Sequence, residues 1–323
     1  MLPSASIVIE WETSLETPQE RVIATLSELA RQLRLLTPRF DRPAETIISA
    51  CAANGCETDI RSVLTHASEG AEWPGVLCLA ISTKPLDYYQ KKNFGALFAN
   101  NDVIVFLDAD VIPEAGWLES LLACFTDYRK AVVMGRTHLD TRTLYERAVA
   151  LSWIFVTRSA DNVPRVTENL ISNNIAFRRA LFARLPFPDA PTWRSQCSDL
   201  GATLQAVGIR LYEQPAARAS HPAHPGCRAF VTRAVTAGVD RHFSHRRGTG
   251  AGVGRCAQQW REDMRSVRRR ISERRGTLSA VALDIAAAYA LGLTYYSIKA
   301  VSYLACTLGV QVPGRKGSPS LQE

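Results

Sequence analysis

The sequence predicts an α/β protein: a mostly parallel sheet flanked by helices, with a C-terminal helical extension that is first basic and then apolar. Three observations carry this. Short β-branched runs alternate with longer amphipathic stretches over the first two hundred residues. One of these runs, Asp102-Val-Ile-Val-Phe-Leu107, is almost wholly apolar, as a parallel strand buried on both faces should be. Positive charge is concentrated late in the chain: Arg228–Arg275 holds 13 Arg against 4 acidic residues, a local +9 within a total of +7, so the remainder is close to neutral.

At 323 residues and 46% hydrophobic, the chain can bury a sizeable core, and its 21% charged residues exclude disorder, collagen and small disulfide scaffolds. Its eight cysteines form no Cys-x-x-Cys pair, and several sit in apolar runs such as Leu121-Leu-Ala-Cys124-Phe. Reduced, buried thiols and a cytosolic catalytic domain are therefore expected. The opening Met1-Leu-Pro-Ser-Ala-Ser-Ile-Val-Ile9-Glu10 has no basic leader and meets a charge early, so no secretory signal is expected.

The elements follow in order. Ser6-Ile-Val-Ile9 reads as a strand, and Thr17–Leu36 as an amphipathic helix with Thr17 and Glu20 at capping-box spacing. Thr46-Ile-Ile-Ser49 is the second strand, Glu57–His66 a helix, Gly75–Ile81 the third strand and Leu86–Asn100 a helix. After the apolar fourth strand come a helix over Glu114–Phe125 and a fifth strand, Ala131–Met134. Such alternation places ligands at the carboxyl ends of the strands. Later, Arg194–Val207 reads as a helix, Ile209–Glu213 as a strand and Arg228–Arg241 as a helix. Gly248-Thr-Gly-Ala-Gly-Val-Gly254 follows no strand and reads as a flexible loop, not a phosphate cradle.

The segment Leu107-Asp108-Ala-Asp110-Val-Ile-Pro113-Glu-Ala-Gly-Trp117-Leu carries the chemistry. An Asp-x-Asp arises readily by chance, so its position gives it value: it falls at the C-terminal end of a buried strand. Two carboxylates there are costly unless a cation or donors compensate them. Mg2+ or Mn2+ would do so, because hard divalent cations take oxygen ligands and share them with substrate phosphates. The structural alternative is a turn whose aspartates cap the next helix.

This acidic turn with Pro113-Glu-x-Gly-Trp117-Leu resembles the family 2 glycosyltransferases of the GT-A fold. Supporting landmarks are the opening strand, Lys92-Asn93-Phe-Gly95, Asn173-Asn174-Ile-Ala-Phe177-Arg178-Arg179, and a helix ending Leu204-Gln-Ala-Val-Gly208. The resemblance spans roughly residues 4–245. It implies a sugar nucleotide across the strand ends, with Asp110 on the metal and Asp108 on the ribose or the metal shell. Asn93 and Gly95 would let the chain pass close to the nucleotide. Asn173 and Asn174 would lie in a loop facing donor sugar or acceptor, or else satisfy a bend.

The chain departs from the family at several points. Inverting transfer needs a carboxylate to take the acceptor's proton, which a Glu-Asp pair supplies in the family. The aligned positions here are Gln196 and Cys197, followed by Asp199-Leu200. Asp199 is then the nearest base candidate, with Glu12 and Asp189 behind it, although a first-turn helix acid is the plain alternative. The opening strand runs into Glu10-Trp11-Glu12, and the second ends Ser49-Ala50-Cys51 where an Asp usually reads the nucleobase, so Glu12 takes part of that role. This implies a divergent subgroup. His221, before Pro222, stands where relatives can supply a further metal or diphosphate contact; a solvated loop histidine is the alternative. Arg228 and Arg233 are candidates for the diphosphate, whereas Arg241, Arg246 and Arg247 fit solvent or acidic lipid.

Arg261–Arg275 is dense in Arg, and Leu278–Val310 is largely apolar. No stacking module accompanies the basic run, so nucleic acid is not the expected partner. Basic residues beside an apolar segment fit the cytoplasmic face of the inner or plasma membrane, peripherally or by a C-terminal anchor. Leu278–Ile298 is long enough to span, yet Asp284, Tyr295, Lys299 and Ser302 fall within roughly 60° on a helix. That stripe suits an interfacial helix, a hairpin or packing against the catalytic domain.

The expected organisation is thus a GT-A-like domain over 1–245, a Gly/Arg-rich basic linker over 246–276 and an apolar helical, membrane-associated segment with a tail over 277–323. The expected activity is metal-dependent, inverting hexosyl transfer from a nucleoside diphosphate sugar to a glycan or lipid-linked acceptor in envelope glycan synthesis. A non-catalytic nucleotide-sugar-binding scaffold in a membrane complex is the competing reading, supported by Gln196-Cys197. A nucleotidyltransferase would want a Gly-rich phosphate loop after the first strand, and Glu10-Trp-Glu-Thr-Ser14 offers none.

Overall fold

Four β-branched segments give the parallel half of the sheet: β1 (Ala5–Glu10), β2 (Glu45–Cys51), β3 (Val76–Ser82) and β4 (Val103–Asp108). They appear in a computed structural model that describes residues 1–310 apart from 12, 13, 15, 16, 53–56, 156, 159, 160, 191, 224, 225 and 249, with only the backbone of Arg247. Glu12, and with it the expectation that it reads the nucleobase, lies outside the described residues. The other strands are β5 (Ile112–Pro113), β6 (Val132–Leu139), β7 (Arg165–Thr167), β8 (Asn174–Arg178) and β9 (Leu211–His221).

Among the described residues these strands form one sheet in the order β3-β2-β1-β4-β8-β6-β9-β5, with β7 on β9. β3, β2, β1 and β4 pair in parallel, whereas β8 is antiparallel to both β4 and β6, and β9 to both β5 and β7. The sheet is therefore mixed. Its parallel strands are joined by helical crossovers, whereas its antiparallel neighbours are remote from one another in sequence.

Alternation along the strands explains why both faces are covered. Ile7 and Ile9 of β1 and Val103, Val105 and Leu107 of β4 enter one core, with Leu26, Leu29 and Leu33 of α1 (Gln19–Leu36), Ile60 and Leu64 of α2 (Glu57–Ala67) and Leu118 and Leu121 of α4 (Trp117–Ala123). Val8, Ile104 and Phe106 point into the other, with Tyr88 and Tyr89 of α3 (Tyr88–Ala96), Phe182 of α6 (Arg179–Phe182) and Leu200 and Leu204 of α7 (Gln196–Ala206). Period-two burial on both faces is the signature of a doubly covered sheet.

Several boundaries differ from expectation for local reasons. α1 starts at Gln19 behind Pro18, with no side-chain cap, because proline sets the entry in place of the Thr17 capping box. α3 is shorter than expected and is capped by Asp87, whose carboxylate accepts from the backbone N–H of Tyr89 and Gln90. Asn174 opens a strand instead of lying in a loop, and β9 extends to His221.

The chain divides into two compact units. The first is Met1–His138 with Arg158–Pro188 and Cys197–His221; the second is Leu139–Thr157 with Asp189–Gln196 and Pro222–Glu323. The second unit contains α5 (Leu144–Ser152), α8 (Gly226–Arg247), α9 (Val253–Arg274) and α10 (Ala282–Thr307), and α10 packs against the other three. Most of the stretch expected as a basic linker is thus the ordered helix α9. Its Val267, Ile271 and Arg274 are buried, and Arg274 donates to the carbonyls of Ala150 (2.8 Å) and Trp153 (2.7 Å). Burial, and then Arg270, push the Arg274 pKa down to about 10. The polar stripe of α10 turns inward: Lys299 donates to Asp263 (2.7 Å), Arg147 to Asp284 (2.9 Å) and Ser302 to the Val235 carbonyl (2.8 Å). No described helix is long and apolar enough to cross a membrane.

Candidate functional site

The C-terminal ends of β1 and β4 lie in register, which sets Glu10 opposite Asp108. Both side chains are buried, so the strand ends concentrate carboxylate in a poorly solvated place. What allows this is visible at Asp108. Lys92 Nζ, itself 0% exposed, donates to Asp108 Oδ1 at 2.6 Å. The Tyr88 hydroxyl lies 2.8 Å and 2.7 Å from the two Asp108 oxygens. Lys92 Nζ also sits 4.7 Å from the Tyr88 ring centroid and 5.6 Å from that of Phe106. Tyr88 and Lys92 are four apart on α3, so one helix face presents both groups to the end of β4. Asp108 is accordingly occupied by a buried ion pair. Lys92 and Tyr88 together engage both of its oxygens at the floor of the site.

Asp110 differs. Its side chain is 9% exposed, Oδ1 has no partner among the described residues, and Oδ2 lies 3.8 Å from His221 Nε2. That separation is too long for a hydrogen bond. Burial raises the Asp110 pKa, and so does the Asp108 charge, while His221 and Arg21 pull the other way. β9 brings the histidine here, because Ser220 pairs with Ile112 just past the acidic turn. Arg21 of α1 locks the arrangement: its Nε donates to the Asp110 carbonyl (2.6 Å), and its Nη2 to the Ser220 carbonyl (2.9 Å) and hydroxyl (3.0 Å).

A divalent cation fits this place in part. The orphaned Asp110 oxygen and the imidazole facing the same carboxylate are suitable donors for Mg2+ or Mn2+, which habitually complete their shells with water and phosphate oxygen. Among the described residues no group of three or more His, Cys, Asp or Glu is placed to hold a metal. Asp110 and His221 face this place, while Asp108 is paired with Lys92.

The remaining expected residues separate. Asn173 is buried beside the turn: its carbonyl accepts from the Asp108 N–H (3.2 Å), its Oδ1 accepts from Thr137 (3.2 Å), and its Nδ2 has no partner among the described residues. Asn174 is committed internally, accepting from Trp117 Nε1 (2.8 Å) and donating to the Ala217 carbonyl (3.2 Å). Asn93 donates to the Phe187 carbonyl (2.8 Å) and accepts from its N–H (3.1 Å), so it braces a loop. A Cβ on Gly95 would stand 2.6 Å from Val8 Cγ1 and 3.0 Å from Ser49 Cβ, so this glycine lets α3 approach β1 and β2. Asp199 is half-buried in the first turn of α7. Gln196 is buried, with Nε2 donating to the Thr192 carbonyl (2.9 Å), and Cys197 is half-buried. Asp189 and Arg228 belong to the second unit, where Arg228 is exposed in the first turn of α8.

Glu114, inside the sequence motif but without an assigned task, proves to be a hub. Its carboxylate meets Arg158 Nε (2.7 Å) and Nη2 (3.0 Å), Arg218 Nε (3.1 Å) and His138 Nε2 (2.9 Å). Arg158 first, then His138 and Arg218, outweigh burial and hold its pKa at about 2. Tyr88, Arg21 and the Lys92 ion pair also escape notice in the sequence. Only the four-residue spacing of Tyr88 and Lys92 could have signalled two of them.

Comparison with known proteins fits this geometry. Residues 66–185, which include α3, the acidic turn and β8, match the family model for Glycosyl transferase family 2. Two curated relatives, the "Pre-mycofactocin glycosyltransferase" of Mycobacterium tuberculosis strains CDC 1551 / Oshkosh and ATCC 25618 / H37Rv, are each 30% identical over 147 residues, covering 44% of this chain. The chain spans about a third of the length of these relatives (31%). Among solved structures, the mannosyltransferase PcManGT from Pyrobaculum calidifontis, in complex with GDP-Man and Mn2+, superposes with a TM-score of 0.56 at 15% identity, covering 94% of this chain and 88% of that one. At that identity the likeness is one of fold.

Two predictions follow from these contacts. Asp108→Asn strands the Lys92 charge in a dry interior and should cost about 3–5 kcal/mol in denaturant unfolding, whereas Asp108→Asn with Lys92→Met should recover most of that loss. Glu114 has a folded pKa below its ordinary 4.5, so its contribution is present above that pH and is lost as pH falls toward about 2. Glu114→Gln should therefore flatten the acid limb of a stability-versus-pH curve between about 4.5 and 2.

Proposed function

We propose, from the match of residues 66–185 to the family 2 glycosyltransferase model and the likeness in fold to a GT-A enzyme, that the chain transfers a hexosyl unit from a nucleoside diphosphate sugar to a glycan or lipid-linked acceptor with help from a divalent cation. The observation that carries this reading is Asp110: a buried carboxylate with one orphaned oxygen, faced by His221, at the carboxyl end of a parallel strand. Open α/β sheets bind ligands there.

Asp110 and His221 are the residues to hold Mg2+ or Mn2+, which when bound neutralises the leaving diphosphate. Lys92 keeps Asp108 from repelling that diphosphate, and Arg21 fixes the two backbones that present Asp110 and His221. Asn173 Nδ2 supplies a buried donor for a donor-sugar or phosphate oxygen. Asp199 is the candidate base for the acceptor hydroxyl, since Gln196 and Cys197 cannot serve. Inversion at the anomeric carbon, a place in envelope glycan synthesis and attachment to the cytoplasmic side of a membrane complete the reading, with the basic second unit as the attached part.

A scaffold that binds the donor without turnover is the second reading. Gln196, buried and already donating to Thr192, favours it, because the position where the family carries its base holds a committed amide.

The test is a thermal-shift screen of nucleotide sugars with and without Mn2+, followed by turnover assays; the relative in fold makes GDP-mannose the first donor to try. A bound donor raises the melting temperature by favouring the folded state. The expected result is metal-dependent stabilisation, lost in Asp110→Asn and weakened in His221→Ala. Asp199→Asn should keep that stabilisation while turnover falls by about a hundredfold or more. Stabilisation without transfer or donor hydrolysis would favour the scaffold, and no metal-dependent stabilisation by any donor would refute both readings.

A further inference from the structure

The second unit presents an inverted helix. α10 is 26 residues long, about 39 Å at 1.5 Å per residue. Its sequence contains only two charged residues, Asp284 and Lys299, and both are buried against the unit. Tyr295 and Ser302 are buried too, so the polar side of α10 faces protein. The opposite side carries Leu283, Ala286, Ala290, Leu293 and Val301, continued by Leu308 just past the helix, and all are exposed. At 100° per residue these six fall within about 80° of arc. Leu283 is 63% exposed, Val301 66% and Leu308 74%. A surface helix ordinarily turns its charged side outward; this one shows solvent a continuous uncharged stripe, the kind of patch that marks an interaction surface.

The charge of the same unit says what covers it. Its sequence holds nineteen Lys and Arg against nine Asp and Glu, a net +10, while the first unit is left at −3. On and just after α9, Arg261, Arg265, Arg268, Arg269 and Arg275 are all exposed. A second copy docked on α10 would set one +10 unit against another, which opposes association. An anionic bilayer satisfies both features: the acyl boundary takes the apolar stripe, and acidic headgroups draw the arginines at about 1 kcal/mol each. We propose that the outward face of α10 is a monotopic docking surface, lying in the plane of an anionic lipid leaflet with the α9 arginines on its headgroups. The proposal deepens the membrane reading given above by naming the face, the lipid charge and the in-plane pose.

The test uses the full chain and sedimentation with vesicles of phosphatidylcholine alone or mixed with phosphatidylglycerol. Wild type should pellet with the mixed vesicles and remain largely soluble with the neutral ones. Leu293→Glu with Val301→Glu, both exposed, should weaken binding at least about tenfold with an unchanged melting temperature; Arg265→Glu with Arg268→Glu should do the same. Equal binding of the Leu293/Val301 variant and wild type would overturn the proposal. So would indifference to lipid charge, or a wild-type dimer that this variant dissolves without any wild-type vesicle binding. Donor-induced stabilisation measured on the same samples keeps the two readings apart. Vesicle binding lost with donor response intact counts against this inference alone, and the converse counts against the glycosyltransferase reading alone.

Discussion

The site depends on one buried ion pair. Packing β1 beside β4 in register gathers Glu10 and Asp108 at the strand ends, and Asp110 follows two residues later. Unopposed carboxylates there would be too costly to keep ionised. Lys92, reaching from α3 with no exposure of its own and steadied by the rings of Tyr88 and Phe106, cancels the first of the aspartates. Paired buried charges add little to stability by themselves, and the consequence lies elsewhere. With Asp108 paired inside the fold, Asp110 keeps a buried carboxylate oxygen without a partner among the described residues.

This division of labour organises the neighbouring contacts. Gly95 lets α3 come close enough to β1 and β2 for Lys92 to reach its partner. Arg21 ties the backbone of Asp110 to that of Ser220, so the residue before His221 is fixed to the acidic turn by side-chain and strand hydrogen bonds together. Glu114 collects Arg158, Arg218 and His138 a few residues further on, joining the segment after the turn to β9 and β6. Rigid support of this kind is what a preorganised charge-binding site requires.

Much of the fold was legible in the sequence because hydrophobic period reports burial directly. The four parallel strands and the helices between them follow from alternating apolar runs, and the place of the acidic turn follows from β4. The antiparallel half was less legible: Asn173 and Asn174, the second of which opens β8, read as loop, yet Asn174 is satisfied by Trp117 and Ala217, contacts remote in sequence. The basic stretch read as a linker because its arginines mask the period of Val267, Ile271 and Arg274, which pack inward. At the site, residue types were visible but their employment was not. Asp108 and Asp110 look equivalent in a motif, and only the position of Lys92 separates them. Asn93 and Gly95 fit a nucleotide-binding motif in the sequence, yet in the fold they hold a loop and a helix. The stripe of Asp284, Tyr295, Lys299 and Ser302 was readable as a stripe, but its inward direction needed the bundle.

The claim that Asp110, and not Asp108, meets the cation is tested most directly by Mn2+ binding in the presence of a nucleoside diphosphate, followed by the electron paramagnetic resonance of the free ion. In the background where Asp108→Asn and Lys92→Met remove the ion pair together, affinity should stay within a few-fold of wild type, while Asp110→Asn should weaken it by at least about tenfold, near 1.4 kcal/mol. Tight Mn2+ binding that survives Asp110→Asn and disappears with the Asp108/Lys92 pair would contradict the account.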